Sequence, residues 1–546
     1  MPDHSKEELR SFNPTDPQHR RKLWVRIVTP DSAWYHVFWR RIALAFFVVT
    51  IAGWLSAAAA AWSFVAIKRG YTGADYFDFV LFPWRKEHYR AGLGHHFIAR
   101  GREELEKKNF REGYAYLVAG LVHVPDDIAA RRLLATTQIR FDRSDLALKT
   151  LAAGTRFATA DLDYLKLLFG LLLEAQEDER VIALAQTLLP PQPDSLLRNQ
   201  FIALEAATAH YNRGRYDEAE KIAAAWRLGD SLEGQLVLAR CDWERGYPDL
   251  AFARLQREIA RFSRRDELYL QLIRFHREAG HNAEARRYAL LRQFNEPTSP
   301  GPRIDLLHTY RTSDDTTAAD RELKLFWQAF GSDPQALMLL AWFAVDTAQP
   351  ALAQQLFERA KEKKFPLSGF RLANAQAAMA AQDYAGALQL VETALSEENP
   401  DYVRVTSFLN GLRAVALFGT KDRSRADLLL GTFLNQARLR SGDALLLARQ
   451  LRLLNEPAQA RRVFDRAYAL DPLNESALAE LVRADSEAGN RADLAENLPK
   501  LLRMRKPPRA VLEETLLRLD QPGDAALRES IRAALKTAPA IHSVEP

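Results

Sequence analysis

The stretch EPAQARRVFDRAYALDP (Glu456–Pro472) decides how the rest of the chain is read. Ala460, Phe464, Ala467 and Pro472 stand at offsets 0, 4, 7 and 12. On a helix the first three share one face. Small residues at 0 and 7 let a second helix come close, and the large residue between them fills the remaining gap. The proline stops the helix and opens a turn. If the pattern recurs, it describes packing rather than an active site.

It recurs. Ala147 has Leu151 and Gly154 at the matching positions, and Ala219 has Ala223 and Trp226. Ala251 is followed by Leu255, Ala285 by Ala289, Ala353 by Phe357 and Ala360, and Ala387 by Val391 and Ala394. From Ala219 onward to Ala387 the neighbouring spacings are 32, 34, 68 and 34 residues, the 68 covering two units. The unit inside that double step is Glu322, Phe326, Ala329 and Pro334. There a charged residue replaces the small one, so close helix packing is not expected at that point. A period near 34 residues means helix pairs that cannot bury their faces alone and must stack into a continuous core.

These units resemble tetratricopeptide (TPR) repeats. HYNRGRYDEAEKIAAAW (210–226) and AMAAQDYAGALQLVETAL (378–395) carry the turn and second-helix start of that family, and VFDRAYALDPLNESA (463–477) carries the second-helix end. A first unit, Gly94–Asp127, has Gly101, Phe110, Leu117, Gly120 and Pro125 in matching places. The resemblance implies an all-α, right-handed TPR-like α-solenoid of about twelve units over residues 94–506. It is weakest over 162–195, around LLPPQPDS, and over 407–440. NEPTSPGPR (295–303) is expected to bend or interrupt the stack. Residues 507–537 read as capping helices and 538–546 as a tail.

Composition agrees with a folded chain: 47% apolar and 27% charged residues are ordinary for globular proteins. One cysteine, Cys241, excludes an internal disulfide framework and a thiolate zinc cage. The net charge of +5 is uneven. Residues 1–110 hold 17 basic and 11 acidic residues, the remainder 58 and 59. The larger part is therefore neutral and lacks the basic excess of a nucleic-acid binder.

After an N-terminal basic tail (1–41) comes one uncharged run of 26 residues, IALAFFVVTIAGWLSAAAAAWSFVAI (42–67). As a helix it measures about 39 Å, enough for one transmembrane crossing. Arg40 and Arg41 precede it and Lys68 and Arg69 follow, with Trp34, Tyr35, Trp39, Tyr71 and Tyr76 at its edges. A cleaved signal peptide is the rival reading, but its basic leader would be unusually long. The flanking charges tie. Further positives in the tail (Lys6, Arg10, Arg20, Arg21) favour a cytoplasmic N-terminus. The expected location is a single-pass membrane protein of the bacterial inner membrane with a periplasmic solenoid. The aromatic juxtamembrane segment 68–93, with Phe77, Phe79, Phe82 and Trp84, reads as an interfacial elbow broken by Pro83. The alternative is that its aromatics seal the first repeat.

Catalytic motifs are absent. GTKDRS (419–424) lacks phosphate-loop spacing, and GLGHHF (92–97) follows no strand. His88, His95, His96, Glu103 and Glu104 are close in sequence, but adjacent histidines point about 100° apart on a helix. SDDTTAAD (313–320) reads as a loop and helix cap. The expectation is no enzyme, no metal and no cofactor.

In TPR proteins that bind peptides, fixed positions of each first helix line a groove. The resemblance places Arg102, Arg240, Arg274, Arg311, Arg449 and Arg483 at one such position, with Trp243 and Arg277 at another. Arginine suits carboxylates because its planar fork donates two hydrogen bonds at once. The expected partner is therefore a protein or peptide, in particular an acidic or C-terminal segment, held by Arg240, Trp243, Arg274, Arg277, Arg311 and Arg449. The opposing reading is a solvated stripe of good helix formers. The implied role is a membrane-tethered interaction scaffold or assembly factor. The alternative is a regulatory or catalytic subunit of a cell-envelope enzyme, with activity in 162–195 or 295–320.

Overall fold

The computed structural model describes residues 23–29, 32–68, 70–71, 73–397, 405–436 and 439–537. Most of the expected basic tail and all of 538–546 lie outside them. The chain divides into two compact units, Met1–Leu168 and Phe169–Pro546.

Unit 1 opens with an antiparallel hairpin, β1 (Trp24–Thr29) and β2 (Ser32–Val37), in register Trp24 with Val37. The helix α1 (Trp39–Ser63) follows and ends in a wider turn, Phe64–Lys68. The combined 30 residues, Trp39–Lys68, are long and apolar enough to cross a membrane. The chain then folds back along α1. Trp62 Nε1 donates to Ala74 O at 2.9 Å, Trp54 Nε1 to Val80 O at 2.9 Å, and Tyr76 OH to Leu55 O at 3.1 Å. The short helix α2 (Tyr76–Val80) is capped by Asp75, whose carboxylate accepts from Phe77 N. Pro83 then occupies the first turn of α3 (Phe82–Glu106), where its missing N–H costs nothing.

Part of the aromatic segment packs against the first hairpin and part is left exposed. Phe79 packs edge-on to Tyr89 beside the buried Val65, Tyr71, Ala74 and Leu93, while Phe77, Phe82 and Trp84 stay exposed. The first hairpin begins at Phe82, earlier than the expected residue 94. α3 and α4 (Phe110–His123) cross very closely: a Cβ on Gly101 would sit 3.1 Å from Gly113 O, and one on Gly113 3.0 Å from Gly101 O.

Among the described residues twelve helical hairpins run from Phe82 to Leu502, two further helices (Arg509–Arg518, Ala525–Thr537) following. Each hairpin turn is built alike. The N–H of the residue opening the second helix bonds back five residues to a carbonyl: those of Glu104, Gln138, Leu172, His210, Asp242, His276, Tyr310, Ala344, Ala378, Leu417, Leu451 and Asp485. The residue just before that N–H is left-handed every time. Glycine fills four of these twelve places (Gly214, Gly246, Gly280, Gly489) and Lys, Asp, Gln, Ala or Asn the rest. This is a Schellman-type ending, which satisfies the last carbonyls of the first helix.

The residues singled out in the repeated pattern are core. Ala460, Phe464 and Ala467 are buried, as are Ala147, Leu151, Ala219, Ala251, Ala285, Ala353 and Ala387. In the irregular seventh hairpin (Gly301–Thr312 and Thr316–Phe330) the offset-0 residue Glu322 is 6% exposed, held by Arg303 at 2.5 Å. A buried ion pair replaces the small-residue contact there. Ala329 is exposed and Phe330 buried in its stead. NEPTSPGPR does not interrupt the stack. Arg292 crosses it, donating to Asp266 at 2.5 and 2.9 Å and pairing with Asp305.

Candidate partner-binding face

The hairpin turns supply a register free of loop length. Residues two before the turn carbonyl are equivalent from unit to unit. In that register Arg102, Arg240, Arg274, Arg449 and Arg483 share one position. Arg311 does not. Its turn carbonyl is Tyr310, so the counterpart of Arg274 is His308, and Arg311 matches Trp243 and Arg277. The expected ladder of three consecutive arginines is corrected to a pair followed by a histidine. Arg311 falls in register with Arg274 only if the helix starts at 303, beyond the prolines of NEPTSPGPR; the helix starts at Gly301, and the turn keeps its 34-residue step.

Within unit 2, the pair lies on adjacent first helices, Leu232–Glu244 and Asp266–Glu278. Arg240 Nε donates to Gln271 Oε1 at 3.0 Å and makes no ion pair among the described residues. Arg274 is 56% exposed and donates to Glu278 Oε1, one turn along its own helix, at 2.7 Å. Both guanidiniums keep donors in hand. Nearby, Tyr211 OH donates to Glu244 Oε1 at 3.3 Å. Nearly two turns before Tyr211 on its helix Leu197–Asn212, Glu205 makes no ion pair among the described residues. Burial pushes its carboxyl up to about 7.

The second expected position is used for packing. Trp243 is 4% exposed and stacks on Phe275, centroids 4.2 Å apart and planes 6° apart. It is core between first helices and not a groove residue. Arg277 reaches the next hairpin, donating to Asp305 O and Thr309 Oγ1 at 2.7 Å each. Burial lowers its pKa below the ordinary arginine value. Arg311, at this position too, remains exposed. Arg449 is 46% exposed and 3.9 Å from Glu480, which Arg452 and Arg483 also contact. Three arginines share that carboxylate, and Arg483 is further paired with Glu514 at 2.8 Å. The structure thus gathers Arg240 and Arg274, and separates Arg449 by five hairpins.

The histidines near the first hairpin have separate partners. His88 Nδ1 lies 3.0 Å from Asp78 Oδ1, His95 Nδ1 lies 4.0 Å from Asp127, and the His96 ring packs 5.0 Å from Tyr71.

No family model matches the chain, and no curated protein matches it. Solved structures do. The complex titled Naa15/Naa10 bound to HypK-THB is 13% identical, covering 90% of this chain and 75% of that one, TM-score 0.30. The anaphase-promoting-complex hetero-tetramer Cut9–Hcn1 is 12% identical, covering 72% and 96%, TM-score 0.23. A tetratricopeptide repeat protein from Parabacteroides merdae is 14% identical, covering 48% and 94%, TM-score 0.28. With the 34-residue step, the repeated turn and the small–large–small packing, the chain is a TPR-type α-solenoid.

Proposed function

We propose that this protein is a membrane-tethered interaction scaffold whose solenoid captures acidic segments of partner proteins. The observation that carries the reading is the Arg240–Arg274 pair. Two guanidiniums at one register position on neighbouring first helices have, among the described residues, only Gln271 and Glu278 as hydrogen-bond partners. That leaves donors for an incoming carboxylate. Tethering by residues 39–68 would raise the effective concentration of the solenoid towards other membrane-bound partners. We place the N-terminus in the cytoplasm and the solenoid in the periplasm of a bacterial inner membrane, on the positive charges of the tail.

A photo-crosslinking residue placed at 240, 274 or, as the out-of-register comparison, 311 tests this in intact membranes. Expected are adducts from 240 and 274 that fade as salt rises, with Arg240→Ala/Arg274→Ala weakening capture of the same partner. Unchanged capture by that double variant would refute the acidic-segment reading. A C-terminal reporter active on only one side of the membrane tests the orientation.

A further inference from the structure

The C-terminal end of the solenoid in unit 2 touches its start. Arg505 Nε and Nη2 donate to the two oxygens of Asp178 at 2.9 and 2.7 Å, and Nη2 also to Leu173 O at 2.6 Å. Asp178 is fully buried, and Asn212 Nδ2 (3.1 Å) and Arg213 Nε (3.2 Å) complete its shell. Next along the chain, Lys506 Nζ donates to Glu244 Oε1 at 2.7 Å and stands 3.8 Å from the Tyr211 ring centre. Arg213 Nη1 donates to Arg503 O at 2.6 Å, and Gln176 Nε2 to Leu473 O at 3.1 Å. The sequence separations reach 332 residues.

This is a built site. Helix ends of three successive hairpins present a buried carboxylate, a second carboxylate and an aromatic face. Arg505 meets the first as a bidentate fork, and Lys506 meets the other two as a point charge with a cation–π contact. Met504 packs with the C-terminal core and Tyr211 with the cluster around Ala207 and Trp226.

We propose that the Asp178–Glu244–Tyr211 niche is a docking site for an Arg–Lys segment, that its occupant is the chain's own strap Arg503–Lys506, and that docking and release close and open unit 2. Tethering puts the strap at an effective concentration on the order of millimolar. Salt weakens the Lys506–Glu244 contact more than the buried Arg505–Asp178 one.

The test uses the full chain in detergent with spin labels on Glu174→Cys and Leu473→Cys, both exposed positions beside the seam. Cys241 is buried with its thiol pushed up to about 12, so it stays unlabelled. The unaltered strap should show one short label distance at low salt. Arg505→Gln/Lys506→Gln, at positions 23% and 35% exposed, should show mainly a longer one with unchanged helix content. A synthetic peptide of residues 503–508 should bind that double variant at least tenfold more tightly than the unaltered protein, whose niche is occupied. A short distance that survives the double substitution, or equal peptide binding by both proteins, overturns the proposal. A short distance that disappears on dilution would mean a second copy supplies the strap, and overturns it too.

Discussion

Phe464→Ala is the sharpest test of the packing logic. Phe464 is completely buried, between Ala460 and Ala467 on the helix Pro457–Leu470. Removing its ring leaves a cavity walled by its core cluster, in which members such as Leu447, Leu451 and Leu478 are at most 1% exposed. Such walls have little freedom to collapse. The expected cost is about 3–5 kcal/mol. In a solenoid each hairpin packs its apolar core against its neighbours, the polar seam at Arg503–Lys506 apart, so the loss should stay local. Hydrogen exchange followed by mass spectrometry on the full chain is the assay. Helices Thr406–Gly419 through Arg491–Leu502 should lose protection by several hundredfold, while Leu232–Glu244 and Asp266–Glu278 change by less than tenfold. A uniform loss across all hairpins would refute nearest-neighbour packing. A loss below about 1 kcal/mol would refute the assignment of Phe464 as a packing residue.

Other consequences are open to measurement. Ala348 holds a left-handed turn position (φ 51°) that four sister turns give to glycine. Ala348→Gly should therefore stabilise the eighth hairpin by about 0.5–1 kcal/mol, read as a rise in thermal midpoint. Burial pushes the Glu205 carboxyl up to about 7 in the folded chain from its ordinary value near 4.5, so between those pH values only the folded state holds the proton. Stability falls as pH rises through that window, by at most about 3 kcal/mol. Glu205→Gln should abolish that slope and leave stability below pH 4.5 unchanged. Arg449→Ala removes one exposed member of a crowded pair and should shift stability by less than about 0.5 kcal/mol. In vesicles, Trp84, exposed at 81%, should be quenched by bromines on lipid chains more strongly than the 4%-exposed core residue Trp243. Equal quenching would place the folded-back segment away from lipid.

Much of this fold was legible because helical packing writes itself at short range. Ala460, Phe464 and Ala467 declare their face by spacing alone, and outside the seventh hairpin, where Ala329 is exposed, their counterparts are buried as well. Glu322 was legible only as an exception, since its partner Arg303 lies nineteen residues away and no local rule pairs them. The fold-back of Tyr76–Val80 onto Leu55 rests on hydrogen bonds across 21–26 residues, from an indole and a phenol to main-chain carbonyls. Nothing in the hydropathy of either segment announces those bonds.

The candidate site was read less well, for a reason the turns make plain. A groove position is set by the end of the first helix, where its carbonyls are captured by the turn, and not by where the helix begins. Counting from helix starts works while every loop has the same length. NEPTSPGPR hides where the helix begins: a count that starts beyond its prolines, at 303, slips by three and exchanges His308 for Arg311, although the helix itself begins at Gly301. Three residues are almost one helical turn, so the slip stays on nearly the same face and passes unnoticed. Trp243 and Arg277 mislead in the complementary way: both are groove-type residues by composition. Yet their position points at the next first helix, where one stacks on Phe275 and the other reaches Asp305 and Thr309. In a repeat protein the binding face is therefore found by aligning turns, and the residues left over after packing has taken its share are few. Here they reduce to Arg240 and Arg274, one helix apart, with Gln271 and Glu278 as their partners.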